Sequence, residues 1–232
     1  MLDPRIVARA QRSALAVAMM TEPADPGYAG PLAVAARQVM AAQRREGTLI
    51  CDAIAAVFEA SDRYEVLRSV HVPMDKAVRT VAAADFAGTP TRMRRCRNGR
   101  GIRVDLVVLD TWTGTVFFLE IKRGTTGIGA DHRARLQDNW RALDLIGQDV
   151  AEYHFNRHVR TVRTLVASVY GNTGAGAGRT VTRDSMDAFF ELPISERVEA
   201  HLRFFRFLID HHIPGLTGYT RHSTGARPLM VA

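Results

Sequence analysis

The sequence predicts an α/β fold in which a central mixed β-sheet is flanked by helices, all within one domain spanning residues 1–232. Two neighbouring apolar strand patterns joined by a four-residue turn supply the sheet's centre. Long stretches with 3.6-residue apolar periodicity precede and follow them. Helix and strand patterns alternate along the chain, which is the layered α/β signature. With 232 residues, 47% of them hydrophobic and 24% charged, the chain can build one substantial core, and global disorder is excluded.

Asp3 before Pro4 reads as an N-cap with proline in the first turn, so residues 3–20 are predicted as a peripheral surface helix rather than a secretory leader. Residues 21–30, with Pro23 and Pro26, read as a loop. A long helix is expected over 31–60, pinched at Gly47, with Ile50, Ile54, Val57 and Phe58 on one face and Asp62 closing it. Tyr64 to Val72 reads as the first strand and 74–88 as a short helix. Ile102 to Asp110 and Thr115 to Lys122 are the second and third strands, with Thr111-Trp112-Thr113-Gly114 as their turn. A helix follows over 131–146, with Leu136, Trp140, Leu143 and Ile146 on its inner stripe. The fourth strand is expected over 159–170, and a peripheral amphipathic helix over 194–211.

Lys+Arg 31 against Asp+Glu 24 gives a formal charge of +7, with a pI near 10.1. That surplus favours a polyanionic partner, nucleic acid ahead of a membrane surface. Only two of the 31 basic residues are lysines, Lys76 and Lys122. Cys51 and Cys96 lie far apart and form no CxxC, which argues against a disulfide scaffold or a cysteine-rich zinc site and fits a reducing cytoplasm. No apolar run reaches the roughly 18–20 residues a membrane span needs. The glycine-rich stretch 171–178 lacks a following GK[ST], so no nucleotide cofactor or nucleotide-driven motor is expected.

The hairpin carries the chemistry. In its simplest register Asp110 faces Thr115 and Asp105 falls opposite Glu120. One face then holds Asp105, Val107, Leu109, Val116, Phe118, Glu120 and Lys122; the other is wholly apolar. Two carboxylates with Cβ atoms about 5 Å apart repel unless something neutralises them. A divalent cation with oxygen ligands is one solution; Lys122 acting as a simple counter-ion at a strand end is the other.

Asp105, a fourteen-residue gap, and Glu120-Ile121-Lys122 in a strand resemble the PD-(D/E)XK nuclease superfamily. The likeness extends to the αβββαβ order of a restriction-endonuclease-like core over about residues 34–171. Val104 stands where a proline would complete the motif's first pair. The resemblance implies that Asp105 and Glu120 ligate Mg²⁺, with Mn²⁺ substituting, and that the Ile121 carbonyl joins them. It implies that Lys122 orients or helps deprotonate the attacking water. Many such enzymes take a further acid from the first core helix, and Glu46, at the edge of that helix's apolar stripe, is the choice here.

Around this motif, Arg92, Arg94, Arg95, Arg97, Arg100 and Arg103 form an acid-free basic run leading into the second strand. It reads as a DNA-contacting arm, against the plainer alternative of a solvated loop. Arg123, Thr125 and Thr126 leave the motif strand at the same end. His154 and His158 have a metal-ligand spacing but lie at a predicted strand start, and His211 and His212 complement a helix C-terminus. The expected function is a Mg²⁺-dependent endonuclease acting on double-stranded DNA, within restriction-modification as a type II restriction enzyme working as a homodimer. The alternatives are a structure-specific repair or recombination nuclease and a non-catalytic DNA-binding module of the same fold.

Overall fold

In the computed structural model, residues 2–21, 31–84, 92–96, 99–124, 129–171 and 178–214 are described. The element order among them is α1 (Pro4–Ala18), α2 (Pro31–Glu59), β1 (Tyr64–Pro73), α3 (Lys76–Ala83), β2 (Gly101–Asp110), β3 (Thr115–Lys122), α4 (Ala130–Phe155), β4 (Thr161–Ser168), β5 (Thr180–Thr182), α5 (Arg183–Phe190) and α6 (Ile194–His212). The chain divides into two compact units, one of Met1–Ile54 with Pro193–Ala232 and one of Ala55–Leu192.

The first unit is helical. Asp3 caps α1 as its sequence predicts, its carboxylate accepting from the N–H of Arg5 at 2.7 Å, with proline in the first turn. Ile6, Ala10, Ala14 and Val17 form the buried stripe of α1, and Val198, Leu202, Phe205 and Ile209 that of α6, which packs beside it. α2 runs through Gly47 without the expected pinch. A Cβ at that glycine would meet nothing within 4 Å, so it marks no close approach.

The second unit holds an α/β fold built on a mixed, open five-stranded sheet in the order β1-β2-β3-β4-β5. β1, β2 and β3 are antiparallel neighbours; β4 runs parallel to β3, and β5 parallel to β4. The β3–α4–β4 crossover makes the β3–β4 pair parallel. The hairpin register is the expected one, from Asp110↔Thr115 through Leu109↔Val116 to Leu106↔Leu119. Val107, Leu109, Val116 and Phe118 form one buried cluster with Ala142, Leu143, Ile146 and Val150 of α4. On the opposite face Phe117 meets Phe190 edge-on, with ring centroids 5.3 Å apart.

Two boundaries depart from the sequence reading. α4 extends nine residues past Ile146, to a left-handed cap at Asn156. Gly147 interrupts the apolar pattern because α4 presses onto the sheet there: a Cβ would sit 2.9 Å from Val162 and 3.0 Å from Phe118. β4 is correspondingly shorter than expected, and β5 and α5 had no recognised pattern. Of the arginine run, residues 92–96 reach α4, where the N–H of Met93 donates to the Leu145 carbonyl at 2.9 Å, while the Arg100 carbonyl accepts from the N–H of Met74 after β1 at 3.1 Å.

Candidate functional site

At the turn end the β2–β3 ribbon is regular. At the other end it opens. The ladder stops at Leu106↔Leu119, so the expected Asp105↔Glu120 pair is not a ladder pair. The Asp105 carboxylate instead accepts from the N–H of Ile121 at 2.8 Å, taking a β3 donor that a regular ladder would give to a β2 carbonyl. The β1 side is interrupted at the same level: Arg68↔Leu106 and Val70↔Val104 pair, while Ser69, between them and level with Asp105, adopts φ 56°. A positive φ is unusual for serine and marks a local kink. Val70, Val72 and Val104 share the cluster of Val107 and Leu109, so inward alternation slips by one residue at Ser69 in β1 and at Asp105 in β2.

β3 continues past the break, paired with β4 through Glu120↔Val166, Ile121↔Ala167 and Lys122↔Ser168. Period-two alternation places Glu120 and Lys122 on one face, and the Lys122 ammonium donates to Glu120 Oε1 at 2.6 Å. Both side chains are about three-quarters buried. Burial pushes the Glu120 carboxyl above its ordinary value and the nearby Asp105 charge adds to the rise. The Lys122 hydrogen bond and charge, and then the charge of His132, pull in the opposite direction. Asp105, Glu120 and Lys122 therefore meet at one end of the ribbon, at the carboxyl ends of the parallel β3–β4 pair. Open α/β sheets place ligands at such ends.

His132 in the first turn of α4 was not singled out from the sequence. Its one signal was its position, the third helical residue after the strand carrying Lys122. Arg123 follows Lys122, and its guanidinium lies 5.6 Å from the centroid of the Tyr170 ring. Thr125, Thr126 and Arg97 lie outside the described residues. Arg92, Arg94 and Arg100 are exposed. Arg95 is committed to α4: its N–H donates to Asp149 Oδ2 at 3.0 Å and its guanidinium stacks 3.4 Å above the Tyr153 ring centroid. Arg103 donates to the Ser69 hydroxyl beside the kink. Glu46 belongs to the other unit, where it is buried and accepts from Arg206 Nε and Nη2 at 3.2 and 3.1 Å. His154 lies in the last turn of α4, while His158 hydrogen-bonds Glu152 at 3.0 Å.

Among the described residues no group of three or more His, Cys, Asp or Glu side chains comes together in a metal-ligating arrangement. Two carboxylates and a backbone carbonyl are nonetheless a donor set of the kind Mg²⁺ takes when it keeps several waters. Burial first, and then repulsion from Asp105, raise the Glu120 pKa, and a divalent ion would relieve that repulsion. No helix among the described residues is long and apolar enough to cross a membrane. Compared with family models, with curated proteins and with solved structures, the chain matches none of them.

Proposed function

We propose that this chain is a Mg²⁺-dependent endonuclease of double-stranded DNA, with a restriction-endonuclease-like core in its α/β unit. The observation that carries this reading is the convergence of Asp105, Glu120 and Lys122 where the β2–β3 ribbon opens. Asp105, Glu120 and the Ile121 carbonyl would hold the metal, which when bound polarises a phosphodiester and acidifies water.

The chain's own groups have separable tasks. The Ile121 N–H fixes the Asp105 carboxylate in one orientation. Glu120, desolvated and close to a like charge, would be one of the groups holding the metal. Lys122, which donates to Glu120 at 2.6 Å, would place its ammonium near the scissile phosphate, where negative charge grows during attack. Lysine suits this better than arginine because its charge is compact. Attack by water with the 3′-oxygen as leaving group gives 5′-phosphate and 3′-hydroxyl ends. Cutting both strands with one centre per chain is most simply done by a two-fold homodimer. Within this class we favour a type II restriction enzyme; a structure-specific repair or recombination nuclease is the second reading. A non-catalytic DNA-binding module of the same fold, in which Lys122 serves only as the partner of Glu120, is the third.

Digestion of a long viral duplex with Mg²⁺, followed by sequencing of the ends, tests the proposal. Discrete fragments with recurring end sequences are expected, and Lys122→Ala should leave the DNA whole. A smear or cutting confined to junctions moves the assignment to the repair class. Intact DNA with the wild-type protein, in Mg²⁺ and in Mn²⁺, sinks the nuclease reading.

A further inference from the structure

The helical unit carries a basic cleft unrelated to the carboxylate site. Arg9, Arg12 and Ser13 of α1 and Arg45 and Thr48 of α2 line an open cavity of about 280 Å³. Three guanidiniums share it, and the acid paired with one of them is Asp52, which accepts from Arg9. Among the described residues Arg12 and Arg45 have no ion-pair partner, so two of the three guanidiniums lining the cleft are not matched there by an acid. Clustered like charges cost stability unless an anion joins them.

Ser13, 7% exposed as a residue, lines the cleft beside the arginines. Guanidinium forks and hydroxyls are the groups that bind phosphate oxygens, the former in pairs of parallel hydrogen bonds. The volume lies just below the roughly 300–1,000 Å³ of sites for drug-sized molecules, which suits one phosphate group and its immediate attachment.

We propose that the α1–α2 cleft of Arg9, Arg12, Arg45, Ser13 and Thr48 is a phosphate-binding site, occupied by a backbone phosphate of a nucleic acid or by a free phosphorylated compound. The site stands independently of the nuclease reading, so its test is run in EDTA, where cutting is not measured. The full-length chain, Arg12→Ala/Arg45→Ala and a charge-matched control, Arg5→Ala/Arg203→Ala on exposed positions of the same unit, are compared. Fluorescence anisotropy with a short labelled duplex reads nucleic-acid binding; thermal unfolding with rising inorganic phosphate reads the isolated anion.

For a backbone phosphate, the cleft variant should bind duplex about tenfold or more weakly, since it loses charge-assisted hydrogen bonds. Its salt slope should fall by about 1, and the control should lose a small fraction of that. Unchanged duplex affinity with loss of the phosphate-induced rise in Tm assigns the site to a free phosphorylated compound. If the cleft variant and the control behave alike in both assays, or the wild type responds in neither, the site does not exist. Should the alanine pair lower Tm by itself, Arg12→Gln/Arg45→Gln, which keeps much of each stem, carries the same comparison.

Discussion

The two ends of the β2–β3 ribbon each bury an acid against a base, and the two acids shift in opposite directions. At the turn, Asp110 is 2% exposed, and its Oδ2 accepts from Arg63 Nη2 at 2.7 Å. Its Oδ1 accepts from the N–H groups of Trp112 and Thr113 at 3.0 and 3.3 Å. Burial alone would raise its pKa, but the Arg63 bond and these backbone donors together bring it below the ordinary value. At the other end Glu120 has a shorter contact to its base, 2.6 Å to Lys122, and yet its pKa is raised. The difference lies in the number of donors. Asp110 has several hydrogen-bond donors and shares the Arg63 guanidinium with Glu191, while Glu120 is desolvated beside Asp105 with Lys122 as its hydrogen-bond donor. One end is an acid satisfied by the fold; the other is an acid left in want of a cation.

The largest expected effect separates the ends by activity. If the proposed reaction is correct, Lys122→Ala lowers the cleavage rate by about 10²–10³-fold or more, as loss of a group opposing transition-state charge does. Asp105→Asn should act at least as strongly. Asp110→Asn should leave the rate per folded molecule within a few-fold. Single-turnover cleavage of a plasmid by the three variants checks this; equal losses at both ends would remove the distinction.

Stability should divide the other way. Asp110→Ala leaves the Arg63 guanidinium short of its buried partner and the Trp112 and Thr113 N–H groups without an acceptor, at a cost of about 3 kcal/mol. Glu120→Gln removes a charge that the folded state disfavours and should stabilise the chain by about 0.5–2 kcal/mol at neutral pH. The pH dependence follows with opposite signs. The raised Glu120 pKa means its destabilising effect is complete above the folded pKa and disappears as pH falls below the ordinary carboxylate value, so the gain from Glu120→Gln shrinks in acid. The lowered Asp110 pKa means its stabilising effect is complete above the ordinary carboxylate value and is lost as pH falls through the folded one. Urea midpoints of wild type and both variants across the acid range test both signs.

Much of this contrast was legible in the sequence. Alternation through TVFFLEIK puts Glu120 and Lys122 on one face, and Thr111–Gly114 fixes the register that brings Asp105 level with them, although Asp105 reaches them from a slipped, unpaired position. The same rules assume a regular ladder and could not anticipate the kink at Ser69, which depends on packing between β1 and β2. The full length of α4 was hidden because Gly147 lowers helix propensity while serving a close approach to Phe118 and Val162. Arg95 looked like a free basic group because its partners, Asp149 and Tyr153, lie more than fifty residues away. Thr180–Thr182 is too short for a period-two pattern to register.

The smallest expected effect tests how much of the turn end's stability is the Arg63–Asp110 contact itself. Trp112 is 74% exposed at the ribbon tip, and the Arg63 guanidinium lies 5.1 Å from its ring centroid, as it also does from the Tyr64 ring. Exposed cation–π contacts contribute about 0.5–1 kcal/mol, well under a buried charged pair. Trp112→Ala should therefore cost less than about 1 kcal/mol, and combining it with Arg63→Met should show coupling of the same small size. The larger loss from Arg63→Met alone should persist whether or not the indole is present. Coupling as large as the full Arg63 effect would mean that the indole holds the guanidinium in place, and the turn end would then owe its low Asp110 pKa to an aromatic lid rather than to hydrogen bonding.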